Sequence, residues 1–320
     1  MRRLLRTLFR AVAPARLPSA QRVGQRSHRS GWQAPFDDVF LRRLERLSVI
    51  SRQHAAGGLG GEHRSKASAN STDFVDFRHY QAGDDFRRID WNAYGRLDQL
   101  YVKLTEARER LSVHLLLDCS ASMAWGEPHK FDYARQLSAG LAYVALCRYD
   151  RVVVHALWGK NVSSRPFRGL RAFGSVLSFL DQLTTDGISS FGSRLSALRL
   201  TGRGKLLLLS DLLDPAGPEV CLEALARLSS DAAVIQVLAP DELAPQGGGD
   251  VELWDLETDE SVNVGLSPEV LGEFRRRIAE WCAGCEQACT ARGFDYVRAL
   301  TSSPLADVLL VSHRRRAVLQ

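Results

Sequence analysis

The chain has 320 residues, of which 45% are hydrophobic, and this is enough to bury one sizeable core and a smaller appended unit. No stretch approaches the run of about eighteen apolar residues that a membrane-spanning helix requires, which excludes an integral membrane protein of that kind. Six scattered cysteines lack the framework of a small secreted domain and indicate a reducing compartment. We therefore expect a soluble, cytoplasmic protein.

The net charge of +5 at pH 7 comes from residues 1–35, which hold eight arginines and no acidic residue. The rest of the chain is slightly acidic, because it contains all 37 acidic residues but only 34 of the 42 basic ones. We therefore expect no nucleic-acid binding by the folded body. The basic segment is too poor in apolar residues to pack as a domain, which favours a disordered tail. Its first twelve residues also have the composition of a transit peptide, or of a basic helix that weakly contacts an anionic membrane surface.

Residues 36–110 are predicted to form an N-terminal subdomain of one helix and a β-hairpin. Apolar residues recur at helical spacing from Phe36 to Leu47 and predict the helix. After a glycine-rich break, the alternating stretch 72–80 predicts an extended strand. The hairpin that we expect next has strands at 99–105 and 111–117.

Residues 111–320 alternate strands and helices, which implies an α/β domain with a mostly parallel sheet and helices on both of its faces. The further predicted strands are 151–157, 162–167, 205–210, 232–238 and 294–299. The predicted helices are 130–148, 171–183, 191–200, 216–228, 268–292 and one that begins at Pro304. An added hairpin with strands at 251–255 and 260–264 interrupts this order.

Two of the predicted strands end in side chains that carry oxygen. The apolar run Val113–Leu117 leads into Asp118-Cys119-Ser120-Ala121-Ser122, and the run Lys205–Leu209 leads into Ser210-Asp211. The carboxyl ends of parallel strands meet at the ligand-binding edge of a sheet, so we expect the two acids to point at one spot. Carboxylate and hydroxyl oxygens are the ligands that Mg²⁺ prefers. The pattern predicts a site for a hard divalent cation.

Helix capping is the plainer interpretation of the D-x-S-x-S turn. Asp118 and the two serines can accept hydrogen bonds from the backbone N–H groups of a following helix. Three charged or titratable residues then precede or begin the helix predicted at 130–148, and we interpret His129, Lys130 and Asp132 as first-turn residues that face solvent.

The D-x-S-x-S turn, followed by an acid at a second strand end, resembles the metal-ion-dependent adhesion site of the von Willebrand factor A fold. The resemblance implies that Asp118 and Asp211 hold Mg²⁺ or Mn²⁺ largely through water, whereas Ser120, Ser122 and a hydroxyl on a middle loop bind directly. The middle-loop counterpart of the family's threonine is Ser189, with Ser190 a close rival. A partner protein would complete the coordination with an Asp or Glu.

The segment Gly83-Asp84-Asp85-Phe86-Arg87-Arg88-Ile89-Asp90-Trp91, followed at the right distance by D-x-S-x-S, is similar to the signature of a bacterial family called domain of unknown function 58. Members carry it directly ahead of a von Willebrand A-like domain. They are typically encoded beside AAA ATPases of the MoxR type. The resemblance implies a non-enzymatic adaptor or scaffold that acts with such an ATPase.

The signature segment 83–91 also has a physical interpretation of its own. Its aspartates interleave with Arg87 and Arg88, and guanidinium groups pair bidentately with carboxylates. We favour an internal ion-pair clamp that fastens the N-terminal unit to the sheet. A docking surface for a partner is the alternative.

Two other chemistries fit single features of the sequence. A phosphoester hydrolase could use a Mg²⁺ ion held by Asp118, Asp211 and Asp214, although no general base is evident. A metal cluster is suggested by the spacing of three cysteines, which we interpret instead as core residues because they continue an apolar helical stripe. These cysteines are Cys282, Cys285 and Cys289.

Overall fold

The computed structural model describes two compact units, one within residues 1–53 and 111–320 and the other within residues 54–110. The residues whose structure is described are 36–47, 49, 72–81, 84, 86, 89–107, 111–157, 162–185, 191–200, 204–214, 216–245, 249–254, 261–314 and 318. The basic segment 1–35 lies outside them, and so do the interpretations that concern it. Within the described ranges, no helix is long and apolar enough to cross a membrane.

Strands and helices alternate along the described chain. The strands are β1 (Thr72–His79), β2 (Tyr101–Ala107), β3 (Ser112–Asp118), β4 (Arg151–Leu157), β5 (Val162–Ser163), β6 (Phe167–Arg168), β7 (Lys205–Ser210), β8 (Ala232–Leu238), β9 (Gly249–Trp254), β10 (Ser261–Leu266) and β11 (Asp295–Leu300). The α-helices are α1 (Asp38–Leu44), α2 (Trp91–Leu97), α3 (Lys130–Cys147), α4 (Phe173–Asp181), α5 (Phe191–Ser196), α6 (Pro218–Leu228), α7 (Pro240–Leu243), α8 (Pro268–Ala291) and α9 (Leu305–Arg314). The bounds predicted for β4, β7 and β8 agree with the structure at both ends.

The larger unit is built on a sheet with the strand order β11, β8, β7, β3, β4, β5. The pairs from β11 to β4 are parallel, and the short strands β5 and β6 run antiparallel to β4. Strands β7 and β8 are buried along their whole length, which explains why they read as continuous apolar runs rather than as alternating patterns. The predicted α/β fold with a mostly parallel sheet is confirmed. The added hairpin forms from β9 and β10.

Helices cover both faces of this sheet, as predicted. Leu115 and Leu117 of β3 belong to the core with α1, α3, α4 and α9, whereas Leu116 belongs to the core with α5, α6 and α8. This alternation follows from the two-residue period of a strand. Helix α1 packs on α3, and the Tyr143 hydroxyl donates to the Glu45 carboxylate just beyond α1 over 2.9 Å. The structure thus places α1 in the larger unit, whereas we assigned it to residues 36–110.

The predicted hairpin with strands at 99–105 and 111–117 is wrong. Strand β2 pairs antiparallel with β1, and β3 instead pairs in parallel with β4 and β7 at the centre of the large sheet. The physical reason is burial, because β3 is apolar on both faces and is stabilised only between other buried strands. Sequence proximity alone suggested the hairpin.

The smaller unit contains β1, β2 and helix α2. The sequence-based prediction included both strands but missed α2. The Asp90 carboxylate caps α2 by accepting from the N–H groups of Asn92 and Ala93, at 3.0 and 3.1 Å. An aspartate immediately before a helical segment is the usual signal for such a cap. Asp90 therefore works as a helix cap.

The signature segment is described in part. The Arg78 guanidinium donates to both oxygens of Asp84, at 2.8 and 2.5 Å, and this contact lowers the pKa of Asp84 below its usual value. Arg87 and Arg88, on which the ion-pair clamp depends, lie outside the described residues. Trp91, at the end of the segment, is 60% exposed.

Candidate functional site

The two predicted acids are brought together at the carboxyl edge of the large sheet. Strands β3 and β7 are direct neighbours, with Leu117 opposite Leu209, so Asp118 and the Ser210-Asp211 pair leave the sheet side by side. The Ser210 hydroxyl donates to Asp118 Oδ2 over 2.5 Å and so joins the two strand ends. Both acids are almost completely buried, with 2% of Asp118 and 1% of Asp211 exposed.

The D-x-S-x-S turn folds back onto its own aspartate. The Ser120 N–H donates to Asp118 Oδ1 over 2.9 Å, and the hydroxyls of Ser120 and Ser122 lie 2.9 Å apart. A short 3-10 helix, Ala121–Ala124, follows, and its N-cap Ser120 makes no side-chain capping bond. The capping interpretation therefore does not account for the serine hydroxyls, which form a polar pair beside a buried carboxylate.

The loop after β7 fixes Asp211 through several hydrogen bonds. The Leu213 N–H donates to Asp211 Oδ1 over 3.0 Å, and the Gln236 amide of β8 donates to the Asp211 carbonyl over 3.2 Å. Leu212 takes a left-handed conformation, with φ of 63°, and its N–H donates to the Ser210 hydroxyl. The loop thus holds the Asp211 carboxylate at the edge of the sheet.

Lys130 is the largest departure from the sequence-based interpretation. We expected it to face solvent, but the structure buries it completely, and its Nζ donates to Asp211 Oδ2 over 2.8 Å and to Glu242 Oε1 over 2.5 Å. Glu242 also accepts from the Ala239 N–H over 2.8 Å. The interpretation was wrong because a lysine at the first turn of a helix is usually exposed, whereas here the preceding loop turns it toward two acids.

The neighbouring residues behave more nearly as expected. Asp132 is partly exposed and forms an ion pair with Arg135, and His129 Nδ1 lies 3.9 Å from the Asp132 carboxylate. Glu242 was not assigned to the site from the sequence. A signal was nevertheless present, since Pro240-Asp241-Glu242 follows β8 after one residue, and β8 is the neighbour of β7 in the sheet.

Burial and like charge dominate the electrostatics of the site. Burial, and next the nearby charge of Asp211, raise the pKa of Asp118 to about 7 against the lowering effect of the Ser210 and Ser120 hydrogen bonds. Burial alone would lower the pKa of Lys130, but Asp211 and Glu242 together raise it above its usual value. Burial also raises the pKa of Glu242, and Lys130 opposes this.

The donor atoms of the site suit a hard cation. Asp118, Asp211, Ser120 and Ser122 offer oxygen atoms alone. In the part of the chain that the structure describes, no group of three or more His, Cys, Asp or Glu side chains could hold a metal. A cation at this edge would therefore depend on two acids, hydroxyls and water.

The middle loop of the predicted site is not described. Ser189 and its rival Ser190 both lie outside the described residues. Helix α5 follows that loop directly, and Asp214 accepts from the Gly192 N–H over 2.9 Å and from the Ala216 N–H over 2.8 Å. Asp214 thus anchors the start of α5 to the loop after β7, which is a structural use of an acid that we considered as a third metal ligand.

The three cysteines of α8 are buried, at 2%, 1% and 0% exposure for Cys282, Cys285 and Cys289. Cys285 and Cys289 pack in the core with α6, which agrees with their interpretation as core residues. Burial raises the pKa of Cys285 and Cys289 to about 12, and a thiol in that state is unreactive.

A cleft of about 720 Å³ opens at the first turns of α3. It lies between the loop that precedes α3, the first turns of α3 and the chain that follows β11. Its lining combines the polar side chains of Glu127 and Gln136 with the apolar ones of Phe40, Leu305 and Ala306. Since His129 also lines the cleft and Lys130 follows it directly, the cleft and the acid cluster share the first turn of α3.

A comparison with protein families identifies one match. A family profile described as "Protein of unknown function DUF58" matches residues 76–283. The chain is 26% identical over 293 residues to the uncharacterized protein Rv1480 of Mycobacterium tuberculosis and equally to the uncharacterized protein Mb1516 of Mycobacterium bovis, and each alignment covers 88% of this chain and 92% of the relative. Among solved structures it is similar to the conserved hypothetical protein BatB of Bacteroides thetaiotaomicron, with 16% identity, a TM-score of 0.41, and coverage of 65% of this chain and 98% of that one.

Proposed function

The chain belongs to the DUF58 family, and we propose that it is a metal-dependent protein-interaction module, an adaptor or scaffold rather than an enzyme. The observation that carries this proposal is the junction of β3 and β7, where Asp118, Ser120, Ser122 and Asp211 converge at the edge of a parallel sheet. Because that edge is where open α/β sheets bind ligands, the convergence favours a ligand role over a purely structural one.

The von Willebrand A-like fold is part of the same proposal. The strand order and the helices on both faces are compatible with it, and the D-x-S-x-S turn lies at the end of a central strand. In this interpretation Ser120 and Ser122 bind Mg²⁺ or Mn²⁺ directly, Asp118 and Asp211 orient its waters, and Ser189 or Ser190 completes the set. A divalent ion with so few anionic ligands would keep a position for a carboxylate of a partner protein.

The hydrolase alternative has less support in the arrangement of the acids. It needs Asp118, Asp211 and Asp214 to share a catalytic ion, but Asp214 is engaged with two backbone N–H groups at the start of α5 and after β7. Asp211 already forms an ion pair with Lys130. An acceptor site for a partner carboxylate needs neither a third acid nor a general base.

The partner that we propose is an AAA ATPase of the MoxR type, because the signature resemblance implies it. The cleft at the first turns of α3 offers such a partner a concave surface that starts at the turn carrying Lys130. An acidic side chain on the ion and neighbouring residues in the cleft would together define one docking surface. Binding would then depend on both the ion and the shape of the cleft.

The experiment combines metal titration with capture of the partner. Calorimetric titration of the full chain with Mn²⁺ should show saturable binding at one site, and Asp118→Ala and Ser120→Ala should lose it. Capture of an AAA ATPase of the MoxR type should need the ion and disappear with chelator. Metal binding that is unchanged in Asp118→Ala, or Mg²⁺-dependent hydrolysis of phosphoester substrates that Asp118→Ala abolishes, would contradict the proposal.

A further inference from the structure

Lys130 is a fully buried cation next to the candidate metal site. It is the first residue of α3 and begins the helix directly after the loop that carries Ser120 and Ser122. Removing an ammonium group from water is costly unless acids surround it, and here Asp211 and Glu242 lie within 2.8 and 2.5 Å of its Nζ. Lys130 can therefore be buried because the acids of the site carry negative charge.

The charge of the cluster is not balanced by this lysine. Asp118, Asp211 and Glu242 together with Lys130 carry a formal charge of −2 when all four are ionised. The hydrogen bonds that Asp118 accepts come from neutral groups, the Ser120 N–H and the Ser210 hydroxyl. Its raised pKa, about 7, reflects burial and the proximity of Asp211. A divalent cation would neutralise the whole cluster.

A second buried lysine in the same sheet gives a matched comparison. Lys205, at the start of β7, is 0% exposed and lies 2.9 Å from Asp231 and 2.8 Å from Asp295. This cluster has the same composition of one lysine and two acids, but it lies at the amino edge of the sheet, away from the D-x-S-x-S turn. It can therefore separate the effect of burying a lysine from the effect of placing one beside the metal site.

We propose that Lys130 is the resident counter-cation of the site and sets its affinity for the divalent ion. It forms ion pairs with Asp211 and Glu242 in the metal-free protein, so that both acids keep their positions without an ion. It also repels an ion bound between Asp118 and Asp211, so that binding stays weak and reversible. This inference rests on the proposed function, and it goes further by giving Lys130 and Glu242 roles in the same site.

The test replaces Lys130 by Met, which keeps an apolar side chain of similar length and removes the charge. The dissociation constant for Mn²⁺ is measured by calorimetry on the full chain, and the melting temperature is measured with chelator and with Mn²⁺. Lys130→Met should bind Mn²⁺ about tenfold more tightly or better. Its melting temperature should fall in chelator and recover with Mn²⁺. Lys205→Met should melt lower in both conditions and keep the wild-type affinity.

The outcomes separate this inference from the proposed function. If the wild type binds Mn²⁺ and Lys130→Met binds it equally or more weakly, the inference is wrong and the proposed function stands. If only Lys130→Met binds Mn²⁺, the lysine has taken the place of the ion, which supports the inference and contradicts metal-dependent recognition. If neither binds, both fail.

A second variant covers the case in which Lys130→Met does not fold. Glu242→Gln removes one acid and leaves the lysine to act on Asp211 alone, so the affinity for Mn²⁺ should weaken by about threefold or more. The Ala239 N–H can still donate to the glutamine side chain, which preserves the turn before α7. An unchanged affinity in folded Glu242→Gln would overturn the inference.

Discussion

The two edges of the central sheet carry the same buried motif with different surroundings. At the amino edge Lys205 lies between Asp231 and Asp295, and at the carboxyl edge Lys130 lies between Asp211 and Glu242. Buried ion pairs are by themselves weak evidence for function, because they are often structural. Because one such cluster is present at each edge, a second criterion is needed to distinguish a functional cluster from a structural one.

That criterion is the additional acid at the carboxyl edge. Asp118 is fully buried beside Asp211, and its hydrogen-bond donors are neutral, so burial and like charge raise its pKa to about 7. An excess of negative charge beside two hydroxyls destabilises a protein unless a cation or a proton is present. Under the proposed function, uncompensated charge distinguishes the cluster at the carboxyl edge from the structural cluster at the amino edge.

The largest expected effect concerns the amino edge. Lys205→Ala should destabilise the protein by about 3–5 kcal/mol, because it leaves Asp231 and Asp295 buried without their cation. The measurement is urea unfolding, with and without Mn²⁺. The exposed pair Arg227–Glu223 provides the control, since Arg227→Ala should cost less than about 1 kcal/mol. Stabilisation of Lys205→Ala by Mn²⁺ beyond that of the wild type would remove the distinction between the edges.

Replacing an aspartate by asparagine should have opposite effects on stability at the two edges of the sheet. Asp118→Asn relieves the repulsion with Asp211, so at pH 8 in chelator we expect the variant to match the wild type or to gain about 1–3 kcal/mol. Asp231→Asn should instead lose stability, because Asp231 pairs with Lys205. Unfolding of both variants in the same buffer checks this. A large loss of stability in Asp118→Asn would indicate that Asp118 is a structural residue.

The pH dependence of that gain follows from the pKa of Asp118. A carboxyl group with a folded pKa of about 7 and an unfolded value near 4 contributes stability at low pH that is lost as the pH rises between those values. The free energy of unfolding of the wild type should therefore fall relative to that of Asp118→Asn from about pH 4 to pH 7, and the difference should stay level above pH 7. A stability difference that does not change with pH would contradict the raised pKa.

The opposite pH dependence is expected from the middle of the sheet. His114 and His155 are buried, 3.0 Å apart between Nδ1 and Nε2, and burial lowers their pKa values to about 4 and about 3. Their neutral forms are favoured in the folded state, so stability is present above about pH 6.5 and is lost as the pH falls below it. Relative to a His114→Leu/His155→Leu double variant, the wild type should lose about 1 kcal/mol or more per pH unit below pH 6. An equal dependence of stability on pH in the two proteins would contradict this. Asp118 is present in both proteins, so its contribution cancels in the comparison.

The smallest effect on stability is expected in the cleft. Ala306→Arg introduces a long charged side chain at a partly exposed position, and it should change stability by less than about 0.5 kcal/mol and leave Mn²⁺ binding intact. Capture of the proposed ATPase partner should nevertheless weaken, because the side chain obstructs the docking surface. Unchanged capture would show that the partner binds elsewhere.

The type and ends of the buried parallel strands could be predicted from the sequence more reliably than the strands with which they pair. The runs that become β7 and β8 are apolar throughout and are bounded by polar residues, so their type and ends could be predicted from the pattern. The strands that pair with β3 could not be predicted in this way, because a hairpin between β3 and the preceding strand also satisfies the local pattern. Pairing is decided by burial between distant strands.

The candidate site could be predicted in the same partial way. Asp118 and Asp211 were expected to meet because both follow buried strands, and the structure places them at neighbouring strand ends. Lys130 and Glu242 were missed, because a lysine in a first helical turn and a glutamate in a short helix look exposed in sequence. The strand order puts β8 beside β7 and so brings Glu242 to the edge where Asp211 lies, and Lys130 contacts both acids from the start of α3.

The most direct test of the central claim is an anomalous-scattering map from a crystal of the full chain soaked in Mn²⁺. The account predicts one strong peak at the carboxyl edge of the sheet, within coordination distance of the Ser120 and Ser122 hydroxyls, and no peak at Lys205. Asp118→Ala crystals treated in the same way should lose that peak. A map without density at this edge, or with its strongest peak elsewhere on the protein, would contradict a metal site built from Asp118, Ser120, Ser122 and Asp211.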